Sequence, residues 1–337
     1  MHVGILGFGN WIPSGKMTAA DLAAATGIPE DVIALKFGVK GKPIAGPGET
    51  TAFMGVAAAR KALAAAGIEG GEVDLVIWCG AQHKDYPCWL AGLYVANQIG
   101  AKNAWSFDME AMCGSMMAAL DVAKSLMLTH PELGTVLLVS GYRNNDLIDL
   151  TVPETRFMLD IGSGGSALVL GKNAGKNAVL ASAFRGDGSL SEMCIVPSMG
   201  TKRWPPTPED LARAHFVVPD EEAFKGKLGE VTMPNFYAVI RQAMRLSGFP
   251  EDAIDYLAIL HFKRSAHEAV LAELGLKPEQ STYLDEYGHL GQNDQVLSLE
   301  LGLRDGKIRD GSRIVFVGAG LGFVWASTVI QWGPYAE

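Results

Sequence analysis

At 337 residues the chain exceeds the usual size of one domain, so one large duplicated fold or two modest domains are the natural choices, with room for a sizeable core. Apolar residues make up 48% and charged residues 19%, with 40 glycines spread along the chain; this excludes a disordered or fibrous protein and matches an α/β enzyme. The formal net charge of −9 argues against a general nucleic-acid binder, which needs a basic face to displace counterions. Met1-His2-Val3-Gly4-Ile5-Leu6 runs into a strand-like stretch with no basic leader, and nowhere do about eighteen apolar residues run together. A soluble, cytoplasmic chain without membrane association is therefore expected. Cys79, Cys88, Cys113 and Cys194 show no C-x-x-C pairing, so neither a metal site nor a disulfide framework is expected.

Short apolar runs of strand length alternate with Ala- and Leu-rich runs of helix length, as in a layered α/β fold. The first half reads as a strand Val3–Leu6, a helix from Thr51 to Ala66 stopped by Gly67, a strand Val73–Trp78 and a helix near Trp89–Gln98. A strand Ala104–Asp108, a helix starting at Cys113, and strands Thr135–Ser140 and Ala167–Leu170 follow. The second half repeats that grammar: strand Val179–Phe184, helix Asn235–Leu246, strand Tyr256–Leu260, helix Ser265–Leu274, strand Thr282–Asp285, helix Asp294–Leu301, and strands Ile314–Val317 and Phe323–Ile330. Two copies of one β-α-β-α-β-α-β-β unit are implied, residues 1–172 and 173–337, linked at Lys172-Asn173-Ala174-Gly175 and packed as one body. The polar, Pro-broken stretch Lys202 to Glu230 reads as a surface or lid segment.

In Phe107-Asp108-Met109-Glu110-Ala111-Met112-Cys113-Gly114-Ser115 a strand ends, the chain turns, and a helix begins at the cysteine. A thiol there faces unpaired backbone N–H groups and the positive end of the helix dipole, which favours the thiolate and can cradle an oxyanion. A small buried hydrophobe is the other reading of a cysteine among methionines, and spacing alone does not decide between them. A cysteine nucleophile needs a base. His261 lies at the C-terminal end of a predicted strand, where open α/β sheets place their sites, and His289 occupies in the second half the position that Cys113 holds in the first. Lys263 and Arg264 stand at a predicted helix N-terminus, where cations are disfavoured; binding a carboxylate or phosphate, or a solvated charge pair, accounts for them. Gly7-Phe8-Gly9 and Gly318-Ala319-Gly320-Leu321-Gly322 lack the following helix of a dinucleotide site and are expected to allow close backbone approach. Ile161-Gly162-Ser163-Gly164-Gly165 lacks the first glycine of a serine-hydrolase elbow.

These residues resemble the ketoacyl-acyl-carrier-protein synthase III branch of the thiolase superfamily over essentially the whole chain. Phe107-Asp108 through Cys113-Gly114 resembles the family's nucleophile segment, and Asp255-Tyr256-Leu257 through His261 its first histidine segment. Tyr287-Gly288-His289 sits where the family has Tyr- or His-Gly-Asn, and Asp305-Gly306-Lys307-Ile308 with Gly311 resembles the segment before its last strands, which Gly318 to Trp325 closes. The resemblance implies a thiolase-like five-layered α-β-α-β-α fold from two duplicated halves, in a homodimer. It places Tyr86-Pro87 where the family sends a residue across the dimer into the acyl pocket, and Arg156 near the coenzyme A adenine. Tyr86, Trp89, Met112 and Met116 are implied to shape that pocket. His289 replaces the family asparagine, Phe262-Lys263-Arg264 its Gln-Ala-Asn, and Val32 its adenine-stacking aromatic.

The implied reaction begins with the Cys113 thiolate attacking an acyl thioester, its oxyanion held by N–H groups near Cys113 and Gly320. His261 and His289 then polarise a second thioester, whose enolate forms by decarboxylation or deprotonation and attacks the acyl group to give a β-ketoacyl product. Acyl-coenzyme A, or phosphopantetheine on an acyl carrier protein, enters as substrate, with no tightly bound cofactor. Two alternatives stay open: a non-condensing acyltransferase on the same fold, and a subunit of a heteromeric condensing complex.

Overall fold

The computed structural model describes residues 1–336. The chain begins with β1 (Val3–Trp11), then a hairpin of β2 (Gly15–Thr18) and β3 (Gly41–Ile44) whose connection carries α1 (Ala19–Thr26) and the single turn α2 (Glu30–Val32). Next come α3 (Thr51–Ala66), β4 (Leu75–Cys79), α4 (Ala91–Ile99), β5 (Trp105–Met109), α5 (Ser115–Thr129), β6 (Thr135–Tyr142) and β7 (Gly164–Lys172). The remainder is β8 (Lys176–Gly186), α6 (Pro208–Ala212), α7 (Glu221–Leu246), β9 (Tyr256–Ile259), α8 (Arg264–Glu273), α9 (Asp294–Arg304), β10 (Arg313–Gly320) and β11 (Val324–Pro334).

Strands are ordered β5-β4-β6-β7-β1-β8-β11-β10-β9. Within β5-β4-β6 the pairing is parallel and from β6 through β7 to β1 antiparallel; β9-β10 is likewise parallel, and β10-β11-β8 antiparallel. The two sets meet where Gly4 of β1 pairs with Ala178 of β8.

Side-chain alternation along the strands builds the layers. Leu75, Ile77 and Leu138 from one set, and Tyr256, Ala258, Ile314 and Phe316 from the other, bury against α5 and α9 between them, with Met116, Leu120, Val296 and Leu299 in the same cluster. Their neighbours Val76, Trp78, Leu137 and Val139 face outward onto α3 and α4. On the opposite side Leu257, Ile259, Val315 and Val317 face α7 and α8. The result is the five-layered α-β-α-β-α thiolase-like fold. Thr50 caps α3 by accepting from the Phe53 N–H, and Gly67 ends it at φ +67°, so both ends are set locally. A Cβ on Gly7 would lie 2.5 Å from the Ala62 carbonyl oxygen, so that glycine lets α3 press onto β1.

Three expectations need correction. The strand expected at Thr282–Asp285 does not form: only Ser281 bridges Leu257 in parallel, and the next residues hold the fold by other bonds. The Tyr256 hydroxyl donates to Thr282 Oγ1, and the Asp285 carbonyl accepts from the N–H groups of Lys40 and Gly41. The second copy of the repeat therefore lacks its third strand. The stretch from Lys202 to Glu230, read as an excursion, contains α6 and the first turns of α7, which starts at Glu221 and continues through Pro234. The helix expected to start at Cys113 starts at Ser115, preceded by a 3-10 turn Met112–Gly114.

Candidate active site

The nucleophile turn is held under constraint. Met112 adopts φ +48°, which costs a non-glycine residue about 1–2 kcal/mol. Ser115 braces the bend: its Oγ donates to the Met112 carbonyl at 2.6 Å and accepts from the Ala111 N–H at 2.8 Å. A Cβ on Gly320 would lie 2.5 Å from the Ala111 carbonyl oxygen and 3.0 Å from Cys113 N, so β10 can press against the turn only with glycine there. Cys113 is thus 8% exposed, at the N-terminal end of α5.

His289 faces the thiol. Its Nε2 lies 3.0 Å from Cys113 Sγ, and its Nδ1 lies 2.7 Å from Asp294 Oδ2. Asp294 is fully buried and accepts two further bonds, from the His261 backbone N–H at 2.8 Å and the Leu290 N–H at 2.7 Å. Burial pulls the His289 imidazole down, but the charge on the Cys113 sulfur and the Asp294 carboxylate outweigh it, leaving the ring well above the ordinary histidine value. The thiol, the imidazole and a buried carboxylate thus stand in line, which is the arrangement of an activated cysteine nucleophile.

His261 is also buried, but neither ring nitrogen is turned to the thiol: Nδ1 lies 2.7 Å from Asp160 Oδ2 and Nε2 lies 3.2 Å from the Gly38 carbonyl oxygen. It joins the site through its backbone bond to Asp294. Asp160 in turn accepts the His289 N–H through its carbonyl, at 2.9 Å. Burial opposes ionisation of Asp160, yet the His261 hydrogen bond and the charges of His261, His289 and Lys42 hold it below the usual carboxylate range. Lys42, on β3, is 2% exposed, and burial pulls its ammonium down to about 8 against the attraction of Asp160.

The other expected residues divide. Met112 and Gly320's neighbour Leu321 border a cavity of about 450 Å³ beside the nucleophile turn, with Gln82, Glu110 and Phe323. Met116 instead packs into the central core, its sulfur 4.0 Å from Cys79 Sγ, and lines none of the described cavities. Tyr86 is 64% exposed, meets Trp89 edge-on and lines none of the described cavities. Arg156 donates to the Thr26 carbonyl at 3.2 Å, leaving its Nε unpartnered. Lys263 lies over the Phe37 ring, while Arg264 stacks on Tyr283 at 4.3 Å and pairs with Asp285 at 3.1 Å.

Asp294, Asp160, Tyr142 and Lys42 are the site residues that sequence reasoning missed. Asp294 reads as the ordinary acid of a helix's first turn; its spacing after His289 is the signal available. Tyr142 ends β6 as His261 follows β9, so the strand-end rule applies equally to both. Lys42 carries no signal of burial in its sequence context.

A sequence model of the 3-oxoacyl-[acyl-carrier-protein (ACP)] synthase III family matches residues 107–188, and that of the family's C-terminal region matches residues 244–332. The chain is 28% identical over 334 residues to a beta-ketoacyl-[acyl-carrier-protein] synthase III of Sinorhizobium medicae, covering 97% of this chain and 98% of the relative. It superposes on the crystal structure of 3-oxoacyl-(acyl carrier protein) synthase III from Pseudomonas aeruginosa with a TM-score of 0.85 at 24% identity, covering all of both chains. The priming beta-ketosynthase of the R1128 polyketide biosynthetic pathway also gives 0.85, at 23% identity over 99% of this chain and 97% of that one. Together with the nucleophile turn, these matches assign the chain to the 3-oxoacyl-[acyl-carrier-protein] synthase III family of acyl-transferring condensing enzymes.

Proposed function

We propose that this enzyme forms a carbon–carbon bond by Claisen condensation of an acyl group held on Cys113 with a malonyl- or acyl-thioester, giving a β-ketoacyl product. The observation that carries the reading is the 3.0 Å approach of His289 Nε2 to Cys113 Sγ, with Asp294 behind the ring. The Cys113 sulfur attacks the donor thioester and forms a new C–S bond. As the donor's own C–S bond breaks, the departing thiolate takes the proton from His289. Backbone N–H groups at Cys113 and beside Gly320 receive the oxyanion. After the second thioester enters, its enolate forms by loss of carbon dioxide from a malonyl group or of an α-proton to the now neutral His289, and attacks the acyl carbon; the bond from that carbon to Cys113 breaks and the sulfur leaves as a thiolate. His261 acts in this scheme as a positioning residue, its N–H fixing the carboxylate that orients His289.

The substrates are acyl-coenzyme A or the phosphopantetheine thioester of an acyl carrier protein, in a cytoplasmic homodimer in which Tyr86 serves the partner's acyl pocket and Met112 lines the approach to the thiol. The Arg156 guanidinium meets the carrier's phosphate or adenosine end, and Lys263 and Arg264 make the same rim positive. Residues 1–172 supply the nucleophile and 173–337 the histidines, as two halves of one body.

A second reading has its own support: a cysteine paired with histidine and aspartate equally suits acyl transfer to an oxygen, nitrogen or thiol. Intact-protein mass spectrometry with a panel of acyl-coenzyme A and acyl-carrier-protein donors, with and without malonyl thioester, separates the two. Condensation requires an adduct absent from Cys113→Ala and discharged as a ketoacyl product; discharge without a new carbon–carbon bond selects the second reading. Absence of any adduct, with every donor, overturns both and leaves a subunit of a heteromeric complex.

A further inference from the structure

Two aspartates cross between the two histidines. Asp294 holds the ring of His289 and the main chain of His261, with Oδ2 at 2.7 Å from the one's Nδ1 and 2.8 Å from the other's backbone nitrogen. Asp160 does the reverse: its Oδ2 lies 2.7 Å from His261 Nδ1, and its carbonyl oxygen accepts the His289 N–H at 2.9 Å. The junction is tight. The His289 carbonyl accepts the Gly162 N–H at 2.9 Å, and a Cβ on Gly288, at φ +63°, would lie 2.1 Å from the Asp160 carbonyl oxygen, so this approach needs glycine. The His261 side chain has no exposed surface, and its other nitrogen lies 3.2 Å from the Gly38 carbonyl oxygen. Neither nitrogen is left for a substrate, so what the ring contributes passes through Asp160.

We infer that Asp160 is a positioning residue for the nucleophile: locked by the His261 ring, it holds the His289 main chain where the His289 Nε2 meets the Cys113 sulfur. Cys113 and Asp160 belong to the first half of the chain, both histidines and Asp294 to the second. Asp294 therefore moves with the histidines and sets only the direction of the His289 ring, whereas Asp160 ties both histidines to the side that carries the thiol. A slip between the two sides opens the 3.0 Å contact directly. The inference rests on reading Cys113 and His289 as a nucleophile pair; it does not need the condensation.

Asp160→Asn removes the charge from the bond to His261 and leaves the main chain in place. Alkylation by iodoacetamide, measured on the peptide carrying Cys113, is expected to slow about three- to tenfold at pH 6, within the span of one net hydrogen bond. At about pH 9.5, where a thiol ionises unaided, it is expected to match wild type. His261→Gln cuts the same tie from the other end, keeps the backbone N–H on Asp294, and decides the question if Asp160→Asn does not fold. Together the two substitutions should slow alkylation no more than the stronger one alone. Both leave in place the other ionisable groups that face the rings: Asp294, buried Lys42, Tyr142 with its ring centroid 6.1 Å from that of His289, and Tyr283 at 5.1 Å from His261. Rates within about twofold of wild type at pH 6, or slowed equally at both pH values, overturn the inference and leave Asp160 a packing group. If wild-type alkylation itself keeps the steep pH dependence of an ordinary thiol, the nucleophile pair falls and the inference with it. Alkylation that responds as expected while no donor acylates Cys113 upholds the inference and removes the condensation.

Discussion

Replacing Asp294 by asparagine tests the assignment of His289 most directly. The carboxylate is fully buried and accepts bonds from His289 Nδ1, the His261 N–H and the Leu290 N–H, all between 2.7 and 2.8 Å. Asparagine fits the same space but offers one acceptor oxygen and turns an NH2 group toward N–H donors. One charge-assisted hydrogen bond is worth about 1.5–3 kcal/mol, so loss of the His289 contact alone slows acylation by about 10- to 150-fold. The charge that sustains the imidazolium disappears as well, and the ring is free to adopt the tautomer that cannot serve the thiol. We therefore expect acylation to fall about 10²- to 10³-fold. An unsatisfied buried N–H adds a folding cost of about 1–3 kcal/mol. Time-resolved mass spectrometry of the acyl adduct gives the rate, and urea unfolding the stability. A variant that is destabilised but acylates within threefold of wild type would refute the Cys113–His289–Asp294 arrangement as the source of reactivity.

Lys42→Met is expected to stabilise the protein at pH 7 by up to about 3 kcal/mol, because burial lowers the ammonium from 10.5 to about 8 and that cost is absent from methionine. The cost is full below the folded value and fades as pH rises toward the unfolded one, so wild-type urea midpoints should climb between about pH 8 and 10.5, and those of Lys42→Met should not. Asp160, held low, contributes stability that is present above its unfolded value and lost as pH falls through its folded one. Asp160→Asn should lower the midpoint at pH 7 and flatten the acid side of the profile; an unchanged acid side would contradict the His261 pairing. Gly320→Ala drives a methyl to 2.5 Å from the Ala111 carbonyl oxygen and should cost about 1–3 kcal/mol while slowing alkylation of Cys113; a fully reactive, equally stable variant would show that the turn has slack.

Elements with local signals at both ends are legible in the sequence. Helix α3 runs from Thr51 to Ala66 in structure as in pattern, because Thr50 and Gly67 are local stop signs. The strand-turn-helix around Cys113 was legible too, although the strained Met112 backbone and the extra 3-10 turn were not. Long-range choices escape such reading. His261 sits at the strand end where the pattern puts it, but its ring is drawn to Asp160, 101 residues earlier in the chain, and no local rule gives a side-chain direction. Thr282–Asp285 has the short apolar pair of a strand, yet its Asp285 carbonyl goes to the N–H groups of Lys40 and Gly41 and Thr282 is tied through its side chain to Tyr256, a competition visible only once the hairpin is in place. Tyr142 was a matter of applying the strand-end rule to tyrosine as well as histidine.

The missing third strand of the second half has a bearing on growth. At one end of the sheet β9 is four residues long, fully buried and already bridged by Ser281; at the other, β5 is partly open to solvent, with Trp105 exposed. A sheet with two open margins can recruit copies of itself without limit, whereas this one has a single margin to offer. Any pairing of β5 with the β5 of another copy consumes both margins at once, so the assembly terminates at two and the route to an extended fibre is blocked by the asymmetry of the repeat itself.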